Sequence, residues 1–233
     1  MTTAEQSRIL VPLLLSFIAG YVDTAGFLAL QGLFTAHVTG NFVTFGASLA
    51  LGTSGALAKL LALPVFCTVV VAVRIVGTLL SKHWRPVFEI LLGVKIALLI
   101  AGAALAIWLG PFHDGDSPPA VLTGMVFISA MAIQNAVHRV YLGSAPPSTL
   151  MTGTTTQIMI DLADIIVRGG DGHPAGARSG KMALNVLLFA IGCGAAALLF
   201  MRFKMWCFVL PPIASITALA IRFAGPEGDS ERI

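Results

Sequence analysis

An all-α integral membrane protein is the fold class this sequence predicts, arranged as six transmembrane helices plus two short re-entrant half-helices. Three observations predict it. Hydrophobic residues make up 57% of the chain and charged residues 11%, at a mean hydropathy of +0.90, whereas in soluble domains about a quarter of residues are charged. Apolar runs of bilayer length recur along the chain. Two of the turns between them, "AHVTGNFV" at 36–43 and "LMTGTTTQ" at 150–157, are polar and open segments too short or too polar to cross comfortably.

A hydrocarbon core of about 30 Å takes about 20 apolar helical residues. The first span is expected over Ile9–Leu30, retained rather than cleaved, because no small-residue cleavage site follows Arg8. The first half-helix runs Thr39–Leu51 and closes on "GTSG". Spans two and three are Leu60–Leu80 and Val87–Leu109, the latter ended by Gly110-Pro111. Ala120–Val137 is the fourth. The second half-helix, Thr152–Val167, carries Thr154, Gln157, Asp161 and Asp164 and closes on "RGGDG". Met182–Met201 and Met205–Ile221 complete the set, the last expected to kink at Pro211-Pro212.

Basic residues choose between this plan and the alternative of eight spanning helices in two parallel repeats. With six spans and a cytoplasmic N-terminus, the inside collects Arg8, Lys82, Arg85, Arg139, Arg168, Arg178, Lys181, Arg222 and Arg232, and the outside keeps Lys59, Arg202 and Lys204. Eight spans divide the charges almost evenly. The excess of cytoplasmic Lys and Arg in membrane proteins therefore favours six, in a bacterial inner membrane.

The parse implies an internal repeat within a single membrane domain, 1–233. "FIAGYVDTAGF" at 17–27 lies over "FISAMAIQNAV" at 127–137, and "HVTGN" over "LMTGT", which sets Asp23 against Gln134 within a slip of one and Gly40 against Gly153. The repeats are 9–110 and 120–222. Each holds three crossings, an odd number, so the second is inverted relative to the first, a plan common among transporters.

The run "GYVDTAGFLALQGLFTAHVTGNFVTFG", with "AIQNAVHR" and "TLMTGTTTQ", resembles the YoaK-type family of bacterial inner-membrane proteins over nearly the whole chain. That resemblance implies a multi-pass inner-membrane protein and carries no established substrate with it. The second turn departs from the first, reading TGT where the first reads TGN.

The candidate site is drawn from intramembrane polar residues. Thr39 and Thr152 are expected to cap the half-helices, Gly40 and Gly153 to admit a backbone or a solute, and Asn41 to offer a donor and an acceptor. If the half-helices enter from opposite faces, their N-termini meet near the midplane and attract an anion or a polar oxygen. Asp23, about 14 residues into its span and about 20 Å along it, cannot reach the surface, and Arg74 is its expected partner. Asp23 is also the candidate proton-coupling group. Gln134, Asn135, Thr154 and Asp161 complete the substrate-binding set, with Asp164 placed at the wet end and paired to Arg168. Glu89 and Lys95 are expected to snorkel, and the small residues Gly192, Gly194 and Ala195 to Ala197 to pack helices.

The function these residues suggest is a small transporter or channel for a small polar or anionic solute. The alternative is a non-transporting membrane scaffold or accessory subunit. Enzymatic chemistry is not expected: no G-x-S-x-G, H-E-x-x-H or Walker loop occurs, and Cys67, Cys193 and Cys207 lie in apolar runs without CxxC spacing. No cofactor, metal or nucleic acid is implied. The expected partners are membrane lipids and the solute, with a homo-oligomer left open.

Overall fold

The computed structural model describes residues 3–81, 86–143, 145–168 and 174–224, and every regular element among them is helical. In chain order these are α1 (Thr3–Ala29), α2 (Gly40–Leu51), α3 (Ala56–Ser81), α4 (Val87–Leu109), α5 (Pro118–Tyr141), α6 (Met151–Arg168), α7 (Pro174–Phe203) and α8 (Leu210–Ala224), with a 3-10 segment, Lys204–Val209, between the last two. Among the described residues, five segments are long and apolar enough to cross a membrane: Ile9–Ala29, Ala56–Ser81, Val87–Leu109, Pro118–Tyr141 and Arg178–Ala224. The basic residues Lys82, Arg85 and Arg232, the side chain of Arg168 and most of "RGGDG" lie outside the described set.

The expected kink at Pro211-Pro212 is a correction. Both prolines occupy the first turn of α8, where a missing N–H costs no intrahelical bond, and the chain bends before them instead, at Lys204 with φ +50°. The intended sixth span is consequently a 3-10 turn followed by a helix of 15 residues.

Packing follows an alternating order. α1 lies against α7 and α8, and α5 lies against α3 and α4, with α4 also touching α8 and α1 also touching α5. The closest approach is between α1 and α7. A Cβ added to Gly20 would sit 2.2 Å from the Phe189 carbonyl oxygen, and one added to Gly192 would sit 2.2 Å from that of Phe17. Glycine on both sides lets the two backbones touch, as close-packed membrane helices require where no hydrophobic force drives helix on helix. Gly194, in the same small-residue run, faces open space.

Polar contacts tie the connections at one end of the bundle. Gln31 Nε2 donates to the Phe112 carbonyl at 2.8 Å. Asp116 accepts the first four N–H groups of the α3 start, those of Gly55, Ala56, Leu57 and Ala58, at 2.8–3.3 Å. Those donors have no intrahelical acceptor, so a residue about 60 positions away does the work of a local cap. Asp116→Ala is expected to lower stability by about 1–2 kcal/mol, the usual cost of losing a helix cap, read as a drop in the thermal midpoint of the purified chain. At the opposite end, Arg222 Nε meets Glu89 at 3.3 Å, and its guanidinium lies 5.3 Å over the Phe88 ring.

Candidate functional site

The first polar turn is built on Asp23. α1 ends through Gln31 at φ +54° and Gly32 at φ +83°, with the Gly32 N–H donating back to Phe27. The chain then runs back along α1. Thr35 donates its hydroxyl to the Val22 carbonyl, and Asp23 Oδ1 accepts the N–H groups of Thr35 (2.8 Å), Ala36 (2.8 Å) and His37 (3.2 Å). Away from water, those three donors would otherwise be orphaned, and a carboxylate is the strongest acceptor available to them. Arg74 is not its partner: it sits exposed on α3, and the loop backbone, only 12 to 14 residues on in sequence, claims the carboxylate instead.

Asn41 clamps the same turn, accepting from the Phe34 N–H at 2.9 Å and donating to the Phe34 carbonyl at 2.8 Å. Buried at 2% exposure, its amide is committed to its own backbone rather than offered to a solute. Thr39 makes no side-chain cap and has helical φ and ψ. The first N–H groups of α2 are taken by the carbonyls of His37, Val38 and Thr39 in a tight turn, which removes the need for one. A Cβ on Gly40 would meet the Phe34 ring at 3.0 Å, so the close approach there is to an aromatic side chain.

The second turn is held by Asn135 and Gln134. Asn135 Oδ1 accepts from the Thr149 hydroxyl and its Nδ2 donates to the Met131 carbonyl at 3.0 Å. Asn135 thus stands where Asp23 stands in the first turn, holding the loop that leads into the short helix. Gln134 Nε2 donates to the Leu15 carbonyl (2.8 Å) on α1 and to Ser148 Oγ (3.3 Å). Thr152 is no cap either. It is exposed within α6, and the N–H and hydroxyl of buried Thr154 both return to the Leu150 carbonyl. Gly153 has open space around it, so nothing approaches closely there.

Asp161 is fully occupied. Arg178 engages both carboxylate oxygens, Gln157 Nε2 donates at 2.8 Å, and Ser179 Oγ donates at 2.8 Å. The Arg178 hydrogen bonds, reinforced by Gln157, hold its carboxyl well below the usual carboxylate range. A group so held stays ionised throughout physiological pH and ties α6 to α7. Sequence reading missed Arg178 because 17 residues separate it from Asp161, beyond any helical spacing.

Neither short helix meets the other. Among the described residues α2 packs on α3 alone and α6 on α7 alone. The expected midplane meeting of two helix N-termini is therefore corrected: each turn is drawn back against its own long helix by Asp23 or Asn135. What α6 does present is an open groove of about 680 Å³ lined by Met151, Thr152, Thr155, Thr156, Met159, Ile160 and Ala163. Lys95 does not snorkel. It is 0% exposed in α4, whereas Glu89 is paired with Arg222 as described above.

A family model described as "Protein of unknown function (DUF1275)" matches residues 11–221, which takes in all eight helices in whole or in part. The chain belongs to this DUF1275 family. The chain is also 29% identical over 213 residues to the UPF0700 transmembrane protein YoaK of Bacillus subtilis (strain 168), across 88% of this chain and 91% of that one. No solved structure matches the chain. Membership of the DUF1275 family, a transmembrane relative and several apolar helices make this a multi-pass membrane protein of the YoaK type.

Proposed function

We propose that the protein is a small transporter or channel of the inner membrane for a small polar or anionic solute. On this reading α1, α3, α4, α5, α7 and α8 cross the bilayer from a cytoplasmic N-terminus, and α2 and α6 begin within it. Residues 9–110 and 120–222 are then inverted repeats of one membrane domain, a reading supported by the mirrored packing of α1 on α7 and α8 and of α5 on α3 and α4.

The observation that carries the proposal is the pair of non-helical loops. The loop after α1 is bonded to Asp23, six residues before that helix ends, and the loop after α5 is bonded to Asn135, six before that helix ends. At about 1.5 Å per residue, each reaches about 10 Å back along its helix. Irregular backbone at such depth is tolerated only where protein buries it or a cavity adjoins it, and transporters use it to build solute sites. The solute path is assigned to the hydroxyl-bearing face of α6, through Thr152, Thr155 and Thr156. A groove this open needs a second wall, and the reading gives that role to another copy of the chain.

Thr155→Trp fills that groove without touching the Asp161 tie. It is expected to cut solute flux into proteoliposomes at least about tenfold while the purified protein keeps its wild-type thermal midpoint. Flux equal to wild type would remove the α6 groove from the path. A non-transporting scaffold is the second reading, favoured by the separation of the two turns and by α2, whose Phe42, Val43, Leu49 and Leu51 are exposed for a membrane partner. It predicts no flux of any solute and retained binding of a partner helix by α2.

A further inference from the structure

Three polar atoms in the middle of the bundle are buried and have no hydrogen-bond partner among the described residues: Lys95 Nζ on α4, Gln134 Oε1 on α5 and Ser215 Oγ on α8. Each of these residues is 0% exposed. His138, one turn beyond Gln134, is also buried, but the Ala145 and Pro146 backbone lies beside its ring.

Their depth is set by contacts already described and one more. Arg222 of α8 lies over Phe88 of α4, and the Phe88 ring meets the Tyr141 ring of α5 edge-on at 6.2 Å. From that shared level, Lys95, Gln134 and Ser215 each lie seven residues inward along their own helices. Seven residues of helix span about 10 Å, so the three side chains share one depth. Gln134 Nε2 brings α1 to the same depth through the Leu15 carbonyl. These four helices close a ring, α1 on α5, α5 on α4, α4 on α8 and α8 on α1. One polar group from each wall thus stands at a single level of the ring.

An ammonium in such surroundings is costly unless something neutralises it. Two carboxylates of the surrounding helices are committed elsewhere. Glu89 is bonded to Arg222 six residues towards the end of the bundle, and Asp23 holds the N–H groups of its loop. Lys95 brings three donors and the one formal charge, Ser215 brings one donor and an acceptor oxygen, and Gln134 Oε1 can accept up to two hydrogen bonds but carries no charge. With Lys95 protonated, the level therefore carries one positive charge that neither neutral partner can compensate. The complement of such a set is a compact negative group with several lone pairs and few atoms.

We propose that Lys95, Ser215 and Gln134 form a buried binding site for a small monovalent anion of the halide or nitrate class. The ammonium supplies the charge, the Ser215 hydroxyl supplies a second donor, and Gln134 Oε1 stands at the same level as an acceptor for a remaining Nζ hydrogen. The proposal concerns binding alone and stands whether or not the chain moves a solute.

The test uses the purified full-length chain in detergent, titrated with sodium chloride, bromide or nitrate against gluconate at constant ionic strength. Expected is a saturable rise of the thermal midpoint with each small anion. Lys95→Met should abolish that rise, and should unfold later than wild type in gluconate because it removes an unpaired charge. Ser215→Ala should weaken the apparent affinity by about 3- to 10-fold, the worth of one lost hydrogen bond. A wild-type midpoint identical in chloride and gluconate overturns the proposal, as does a Lys95→Met protein that keeps the rise. Should Lys95→Met fail to fold, Ser215→Ala decides, and an affinity equal to wild type overturns it.

Discussion

Gly192→Val is expected to force α1 and α7 apart and to leave little folded protein. A Cβ at this position would stand 2.2 Å from the Phe17 carbonyl oxygen and 3.0 Å from the Tyr21 nitrogen, both backbone atoms of a buried helix. Backbone cannot swing aside as a side chain does, so the helices must separate along their whole contact. Overpacking of this kind costs about 3 kcal/mol where the neighbour is rigid. Gly20→Val should behave alike, since its Cβ would meet the Phe189 carbonyl oxygen. Gly194→Ala is the control: with nothing within 4 Å, it should leave the stability within about 0.5 kcal/mol of wild type and the thermal midpoint essentially unmoved. Equal midpoints for Gly192→Val and Gly194→Ala would show that the close crossing does not exist.

Asp23→Ala is expected to release the loop before α2. It takes one acceptor from the N–H groups of Thr35, Ala36 and His37, and each buried donor left unpaired costs about 1–3 kcal/mol. Destabilisation of about 3 kcal/mol or more should follow, with rapid proteolysis between residues 31 and 39. Asp23→Asn keeps an oxygen at the same place and should fold with a smaller loss. That variant also tests proton coupling, because an amide cannot take up and release a proton: flux unchanged from wild type in a folded Asp23→Asn protein would confine Asp23 to holding the loop.

The long helices were legible because their cause is local. A run such as Val87–Leu109 needs no partner to declare itself, and the structure begins and ends α4 at those residues. The short helices were legible for the opposite reason, since Thr39-Gly40-Asn41 and Thr152-Gly153-Thr154 interrupt apolar sequence with groups that demand hydrogen bonds. Which bonds they make was not legible. Asn41 returns to Phe34, seven residues away, and Asp23 reaches across a turn whose path depends on positive φ at Gln31 and Gly32. Arg178, Asp116 and Lys95 were missed as partners or as burdens because their roles arise only when distant helices meet. Arg74 misled for a related reason: an arginine inside an apolar run looks buried, but a helix with one face outward can carry it there.

The close crossing of α1 and α7 at Gly20 and Gly192 also bears on how the chain is made. The two glycines are about 170 residues apart, a delay of roughly 10–35 s at about 5–20 residues per second of synthesis. Until the ribosome has delivered α7, the notch on the first helix has no backbone to receive. Whatever shields that notch in the interval, whether lipid or an insertase, has to be displaced before the bundle can close.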